Sequence, residues 1–284
     1  MGARRKQADA AKPRPPRKAR VPKKRELLIQ VILINKDDAT DRMDFQTWQL
    51  GQMGFDFIKV DAFTPDNLPE VRNSYWNKWR RPLRPAERAR LLSHGMAWDW
   101  VAENGPALII EDDAVLARSV PNILENLEQI NDIEYLSLEV RGRRKLLSKT
   151  AIPIGHGVAS HRLYLDRLGS AAYVLWPNGA KKLIRRASKG AVSLDGIAQW
   201  ATSVKCFQAD PACAVQLDMA TEYGLSAPIE SNSTTEKNAA PKALTIAQTC
   251  RLFLAQAHKI WRLCRYGLVA ERRKIELRPE FFDI

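Results

Sequence analysis

The stretch LLIQVILIN, Leu27–Asn35, is the sequence feature that most limits how this chain can fold. It is a nearly continuous aliphatic run of strand length, which is typical of a strand buried on both faces of a parallel α/β sheet. A helical pattern follows over about Asp41–Met53, and Gly54 ends it. The next apolar run, FDFIKVDAF (55–63), predicts a second strand. Strand, helix and strand in close succession predict a βαβ unit and an α/β fold.

Three further helices and three further strands are predicted after this unit. A helix runs from Pro85 to about Asn104, and the apolar part of PALIIEDDAVL (106–116) forms the strand that follows it. The later patterns indicate a helix near 120–130, a strand near 134–140, a loop over 141–168, a strand at 171–176 and a helix from 180 to about 188.

Charge divides the chain into segments. The formal net charge is +13, yet residues 1–26 carry +9, residues 242–284 carry +5 and the segment between them carries −1. A nearly neutral core makes nucleic acid an unlikely partner of the main domain. The basic ends suit an anionic partner such as phospholipid or RNA, although a solvated N-terminal tail explains its charge equally well. We expect a disordered tail at 1–26, a main domain at 27–229, a linker at 230–241 and a basic helical region at 242–284.

The C-terminal region contains the clearest amphipathic helix of the chain. Its apolar residues recur at spacings of three and four and form one stripe: Ile246, Cys250, Phe253, Leu254, Ala257, Ile260, Trp261, Cys264 and Leu268. This stripe either packs on the main domain or a second subunit, or lies on anionic lipid with Trp261 and nearby arginines among the headgroups.

Cysteine usage and hydropathy indicate the compartment. The four cysteines show neither a CxxC pair nor a histidine at metal-binding spacing, which indicates buried thiols in a reducing compartment. No signal peptide is visible, and no apolar run reaches the roughly 20 residues of a membrane span. We expect a cytoplasmic protein, with attachment to the inner face of the cytoplasmic membrane left open.

Three acidic residues, Glu111, Asp112 and Asp113, end the apolar strand in PALIIEDDAVL. Residues two apart in an extended chain point the same way, so Glu111 and Asp113 can share one target. Two converging carboxylates repel each other unless a proton or a cation lies between them. At the carboxyl end of such a strand they predict a site where Mg²⁺ or Mn²⁺ bridges the protein to a diphosphate. An acidic turn after the strand is the alternative.

The helix before this strand carries a second group of polar residues. LSHGMAW (92–98) places His94 and Trp98 one turn apart on one face, and Glu87 lies two turns before His94 on the same side. A histidine on a helix is commonly structural, but this helix leads directly into the acidic strand.

Six motifs occur in a fixed order along the chain: ILIN (32–35), Asp-Arg (41–42), Glu-x5-Ser-His-x3-Trp (87–98), ALIIEDD (107–113), SAAYVLWPNGAKKLI (170–184) and SLD (193–195). Together they resemble glycosyltransferase family 25, the lipooligosaccharide galactosyltransferase type that includes the collagen galactosyltransferases. The resemblance covers roughly 27–225. It implies a GT-A-like, nucleotide-sugar-binding α/β fold with a mixed, mostly parallel sheet. It also implies inverting transfer of a hexose, often galactose from UDP-galactose.

The resemblance also implies roles for individual residues. The acidic triplet Glu111–Asp113 corresponds to the DxD motif that holds Mn²⁺ or Mg²⁺, and Tyr173 matches an aromatic position of a later strand. Contacts to the donor are expected from Asn35, Arg42 and Trp98, and also from Asp61 because it ends the second strand. Arg42 is equally suited to pair with an aspartate of its own helix. The catalytic candidates are Asp195, His94 and Ser93. For the general base we favour Asp195 over His94, although Asp195 is equally suited to cap a helix.

The sequence departs from the family pattern at four positions. Ala89 and Arg90 replace a glycine and a cysteine, Lys36 replaces a leucine, and the earlier arginine of the first motif is missing, which leaves the donor sugar open. The expected acceptor is a lipooligosaccharide or another surface saccharide, carried on a glycolipid. A metal-dependent phosphohydrolase, or a non-catalytic membrane- or RNA-binding protein on a degenerate glycosyltransferase fold, is the alternative. The sequence predicts no oligomeric state.

Overall fold

The structure, a computed structural model, describes residues 28–70, 73–76, 83–165, 169–190, 193–194, 203–227, 229 and 246–282. The predicted tail at 1–26, the linker at 230–241 and the candidate base Asp195 lie outside these residues.

The first half of the chain forms the predicted βαβ unit and its continuation. The elements are β1 (Gln30–Asn35), α1 (Thr40–Gln52), β2 (Ile58–Asp61), α2 (Asn73–Trp76), α3 (Pro85–Asn104) and β3 (Ala107–Glu111). Strand β1 pairs in parallel with both β2 and β3. Helix α3 begins where Pro85 occupies its first turn and the Glu87 carboxylate accepts a hydrogen bond from the Arg84 N–H at 2.9 Å. Glu87 therefore serves as a cap of this helix.

The described residues of the second half add eight strands and four helices. They are β4 (Ala114–Leu116), α4 (Val120–Leu127), β5 (Tyr135–Ser137), β6 (Arg144–Gly155), β7 (Val158–Leu165), β8 (Ala172–Leu175), α5 (Pro177–Ser188), β9 (Cys206–Asp210), β10 (Ala214–Gln216), α6 (Leu217–Ala220), α7 (Ile246–Tyr266) and β11 (Ala270–Lys274).

Among the described residues, nine strands form one sheet in the order β11-β6-β7-β9-β5-β8-β3-β1-β2, and β4 and β10 form a separate antiparallel pair. The pairings give six strands one direction, namely β1, β2, β3, β5, β6 and β9, while β7, β8 and β11 run against them. Aliphatic residues of β1 and β3 are buried on both faces. This architecture confirms the predicted α/β fold with a mixed, mostly parallel sheet and a C-terminal helix.

The prediction of a loop over 141–168 is wrong, because most of this segment forms the long hairpin of β6 and β7. Its turn consists of Gly155, His156 and Gly157, which all have positive φ values of 96°, 52° and 71°. Shifts in register interrupt the pairing of the two strands, and basic residues lie on the exposed part of β6. These bulges break the alternation of apolar and polar residues by which a strand is recognised in a sequence.

Helix α7 faces outward, contrary to packing of its apolar stripe on the main domain. All nine residues of the stripe are exposed. They include Cys250 and Cys264, so the prediction of buried thiols is wrong for these two cysteines, whereas Cys206 and Cys213 are buried. The opposite side of the helix contacts the sheet, where the Tyr266 ring stacks on the Tyr164 ring of β7 at a centroid distance of 4.1 Å. Strand β11 then pairs with β6, which joins the C-terminal segment to the main sheet. Among the described helices, none combines the length and the apolar composition needed to cross a membrane.

Helix α5 approaches β5 so closely that Gly179 has no room for a side chain. A Cβ atom there would lie 2.2 Å from the carbonyl oxygen of Glu134. We expect Gly179→Ala to lower the free energy of unfolding by about 3 kcal/mol, because the clash is with backbone and cannot relax cheaply. Chemical denaturation measures the loss. The control is Gly51→Ala in α1, where no atom lies within 4 Å of the added Cβ and a small gain from helix propensity is expected.

Candidate functional site

Polar residues converge where three neighbouring parallel strands end. Asn35 ends β1 opposite Asp61 of β2, and Glu111 ends β3 opposite Ile34 of β1. The carboxyl ends of parallel strands in an open α/β sheet are the usual place for ligands. The structure thus brings together the strand ends that carry the predicted donor-binding and metal-binding residues.

A cavity of about 310 Å³ opens at this edge of the sheet. Its charged and polar lining consists of three basic residues, a serine–histidine pair and three acids: Lys36, Arg42, Arg90, Ser93, His94, Glu111, Asp112 and Asp113. The apolar wall includes Ala62, Phe63 and Pro65, which follow β2. The cavity therefore combines opposite charges with an apolar wall, which suits a ligand carrying both phosphate and a flat ring.

Glu111 is held by two basic residues of helix α3. Arg90 donates to Glu111 Oε1 through Nη2 at 2.6 Å and Nε at 3.1 Å, and His94 Nε2 lies 3.1 Å from the same oxygen. Burial alone would raise the pKa of Glu111, but the charge of Arg90 and the hydrogen bond from His94 hold that pKa well below its usual range. Arg90 also donates to the Ser170 hydroxyl at 2.8 Å.

A buried chain of hydrogen bonds fixes the His94 ring. Trp98 Nε1 donates to the Tyr173 hydroxyl at 2.9 Å, and that hydroxyl lies 2.8 Å from His94 Nδ1. An ionised Glu111 can only accept hydrogen bonds, so His94 Nε2 must carry the hydrogen that it donates to Glu111. In a neutral His94 ring, Nδ1 then accepts a hydrogen bond from the Tyr173 hydroxyl. Burial raises the pKa of Tyr173, so its hydroxyl stays protonated. Trp98 is 3% exposed and is linked to His94 of the cavity lining through the Tyr173 hydroxyl.

Ser93 connects helix α3 to the cavity wall. Its hydroxyl donates to the Ala89 carbonyl oxygen and accepts from the Phe63 N–H, both at 2.9 Å. The side chain is buried at 2% exposure. The hydroxyl of this predicted catalytic residue thus anchors the segment that follows β2.

Asp112 is held by residues of β1 and helix α1. Asn35 Nδ2 and Arg42 Nη1 each donate to one of its carboxylate oxygens at 3.1 Å. Burial raises the pKa of Asp112, and the charge of Arg42 opposes that rise. Asn35 and Arg42 were predicted as contacts to the donor, and here they position the acidic turn. Asp61 lies beside this group with its carboxylate 70% exposed and paired with Lys59 at 2.7 Å.

Two buried glutamines of helix α1 were missed by the sequence analysis. Gln46 Nε2 donates to the backbone oxygens of Asp112 at 3.0 Å and Ala114 at 2.8 Å. Gln49 accepts from the Leu116 N–H at 2.8 Å, so both amides hold the turn between β3 and β4. The available signal was a pair of glutamines three residues apart on the buried side of an amphipathic helix.

Asp113 is the acid of this triplet that contacts no arginine among the residues the structure describes. Its oxygens lie 3.3 and 3.4 Å from Gln216 Nε2, at the end of β10. Burial, together with the charges of Glu111 and Asp112, raises the pKa of Asp113 to about 7. In the parts of the chain that the structure describes, Asp113 is thus a carboxylate without a close counter-charge.

The chemistry of this donor set fits a divalent ion that is held jointly with a diphosphate. Within the described ranges no group of three or more histidine, cysteine or acidic side chains is arranged to hold a metal by itself. Glu111 and Asp112 are already paired with arginines, which leaves Asp113 as the carboxylate ready to accept a cation. Mg²⁺ is commonly bound by one or two carboxylates while substrate phosphates and water complete its shell.

Glu139, which follows β5, is a second buried acid that the sequence did not reveal. It is fully buried, and its Oε2 accepts from the Ala171 N–H at 2.8 Å. Burial raises the pKa of Glu139 to about 7, and the nearby charge of Glu111 contributes to the rise. A Cβ added at Gly169 would lie 2.9 Å from Glu139 Oε2, so the chain passes closely over the carboxylate.

We expect Glu139→Gln to stabilise the protein at neutral and alkaline pH. A carboxyl whose folded pKa of about 7 exceeds the model-peptide value of 4.5 costs stability once pH rises through that window. The gain is about 3 kcal/mol above pH 7 and vanishes as pH falls below 4.5. Unfolding measured across this range tests it, with the exposed Glu103→Gln as the control that leaves the pH dependence unchanged. A Glu139→Gln protein that is less stable at every pH would contradict the expectation.

Comparison with known proteins identifies the family. The sequence profile described as Glycosyltransferase family 25 (LPS biosynthesis protein) matches residues 28–198. No curated protein matches the chain. One similar solved structure is the inositol-1-phosphate CTP transferase from T. maritima, with a TM-score of 0.40 and 13% identity, covering 72% of this chain and 93% of that one. Another is a glycosyltransferase involved in glycosylation of the major capsid of PBCV-1, with a TM-score of 0.37 and 9% identity, covering 66% and 92%.

Both structural similarities are too distant to support an argument about this chain. The family match is different, since it spans more than half of the sequence and includes α3, the acidic triplet and β8. The chain therefore belongs to glycosyltransferase family 25 and is a glycosyltransferase.

Proposed function

We propose that the protein transfers galactose from UDP-galactose, with inversion, to a lipooligosaccharide or another surface saccharide. The observation that carries the proposal is Asp113, a half-buried carboxylate without an arginine partner among the described residues, in a cavity that three basic side chains also line. Such a site suits a nucleoside diphosphate accompanied by a cation. The choice of galactose rests on the resemblance to the lipooligosaccharide galactosyltransferase type.

Charge supports a diphosphate in this cavity. Arg42 is paired with Asp112, and Arg90 is paired with Glu111. These two arginine side chains therefore mainly keep the acidic turn in place. Lys36 lines the same cavity and offers the donor a further positive charge. Backbone and side chains held in this way need little rearrangement when negative charge develops on the leaving diphosphate.

Mn²⁺ or Mg²⁺ is the proposed cofactor, and Asp113 is the residue that would hold it. A bound divalent ion supplies positive charge that stabilises the departing nucleoside diphosphate. The remaining acids act differently: Glu111 fixes His94 and Arg90, and Asp112 fixes Asn35 and Arg42.

The acceptor hydroxyl requires a base on the side of the sugar opposite to the leaving group. Asp195 is our first candidate for this base. His94 is the second, but both of its ring nitrogens are engaged by Tyr173 and Glu111, which favours a positioning role. The proposed compartment is the cytoplasm, which the four free cysteines support.

A donor panel tests the proposal. The purified full-length protein is incubated with a set of nucleotide sugars and Mn²⁺ or Mg²⁺, and released nucleotide is measured with and without saccharide acceptors. We expect UDP-galactose to be consumed faster when an acceptor is present. Consumption that no acceptor increases would indicate a phosphohydrolase. If no donor is bound or consumed, the transferase proposal fails.

A further inference from the structure

Exposed apolar side chains concentrate on one short segment of the described chain. Ten large hydrophobic residues are exposed in the described residues, and seven of them fall between 246 and 269. They are Ile246, Phe253, Leu254, Ile260, Trp261, Leu268 and Val269, with exposures between 53% and 90%. An apolar patch of this kind marks an interaction surface rather than ordinary solvent-facing surface.

This patch is the outward face of helix α7 together with Leu268 and Val269, which follow the helix. The residues that contact the rest of the protein, such as Arg262 and Tyr266, lie on the opposite side of the helix. Hence, within the described part of the chain, the apolar stripe predicted from the sequence is exposed and can meet a partner. An amphipathic helix in a globular protein normally buries such a stripe.

Basic residues accompany the stripe along the chain. Residues 246–274 contain seven lysines and arginines and a single acid, although Arg262 is buried on the opposite side of the helix. The Arg265 guanidinium lies 5.5 Å from the Trp261 ring centroid, and Arg272 and Lys274 of β11 are exposed nearby in the chain. Apolar side chains beside tryptophan and arginine match the boundary between lipid headgroups and acyl chains.

The same charge argues against a second copy of this chain as the partner. In a two-fold dimer the patch would meet itself, which would bring two strongly basic segments together. We propose that the apolar stripe of α7 binds the surface of an anionic lipid bilayer, with its apolar side chains inserted and its basic residues on the headgroups. This surface lies outside the cavity and goes beyond the proposed transfer reaction.

Vesicle sedimentation with the full-length protein tests the proposal. We expect binding to phosphatidylcholine vesicles that contain phosphatidylglycerol, little binding to phosphatidylcholine alone, and loss of binding at high salt. Trp261→Ser should weaken the partition about tenfold, and the double variant Phe253→Ser, Leu254→Ser should weaken it further. Light scattering without lipid should show that these substitutions leave the molecular mass unchanged.

Trp48→Ser is the matched control, because Trp48 of α1 is 50% exposed and Trp261 is 53% exposed. It should bind vesicles as the unsubstituted protein does. The proposal is overturned if the anionic vesicles are not bound, or if the α7 variants bind as tightly as the control, as they would if residues 1–26 carried the binding. It is also overturned if the protein is a dimer that the α7 substitutions dissociate.

Discussion

Replacing Asp113 with asparagine is expected to lower kcat/KM for nucleotide release about a thousandfold while the fold stays intact. Asparagine has nearly the same shape and can still contact Gln216, so the change removes mainly the negative charge. That charge is what the proposed cation would bind. Released nucleotide, measured at saturating and subsaturating donor, separates a loss of donor binding from a loss of turnover.

The same substitution should raise stability, which separates it from a simple folding defect. Burial and the neighbouring acids raise the pKa of Asp113 from 3.8 to about 7, so its ionised form costs stability above that window. The gain should disappear as pH falls toward 3.8. The control is Asp132→Asn, at an exposed site before β5 and at the opposite end of the strands. It should change neither kcat/KM nor the free energy of unfolding. Activity of Asp113→Asn within a few-fold of the unsubstituted protein would exclude an essential role for the carboxylate.

The second large effect is expected from Arg90→Gln. The variant leaves the Glu111 carboxylate largely buried with His94 but without its arginine. Removing one partner of a fully buried pair costs several kcal/mol, but Arg90 is 35% exposed, so we expect a loss of about 2 kcal/mol. Because the pKa of Glu111 is held below its usual range, this loss is present above about pH 4.5 and shrinks on acidification.

A double-mutant cycle isolates this pair. Denaturant unfolding is measured for Arg90→Gln, Glu111→Gln and the double variant, and the double variant should recover part of the loss. The exposed pair Lys205 and Asp132 provides the control cycle, in which no coupling is expected. Additive losses for Arg90 and Glu111 would show that the two side chains do not stabilise each other. Transfer activity should fall in parallel, since Glu111 also fixes His94.

The parts of this fold that depend on local pattern could be predicted from the sequence. The aliphatic run of β1, the helix before β3 and the acidic triplet follow from spacing over a few residues. The approach of Asn35 to Asp112 also follows, because parallel strands end at the same edge of the sheet. The hairpin of β6 and β7 could not be recognised, since its bulges disrupt the period of two.

Long-range polar contacts were the second obstacle. Gln46 donates a hydrogen bond to a backbone oxygen 66 positions away. Arg90 of helix α3 donates to Glu111 at the end of strand β3. A sequence gives the type of each side chain but not the backbone group that it will meet. The departure at Arg90 was visible as a mismatch to the family pattern, but its consequence, an ion pair within the acidic motif, requires the fold.

The attachment of α7 and β11 to the main sheet fixes the distance between helix α7 and the cavity. Helix α7 lies against β7, and four strand spacings of about 4.8 Å separate β7 from β3, roughly 20 Å across the sheet. A protein bound to a bilayer through α7 would therefore hold the anomeric carbon of the donor sugar at a fixed distance from the lipid-binding helix. The number of sugar units between the lipid and the acceptor hydroxyl would then decide which glycolipids are extended, so that acceptor length is selected as well as its terminal sugar.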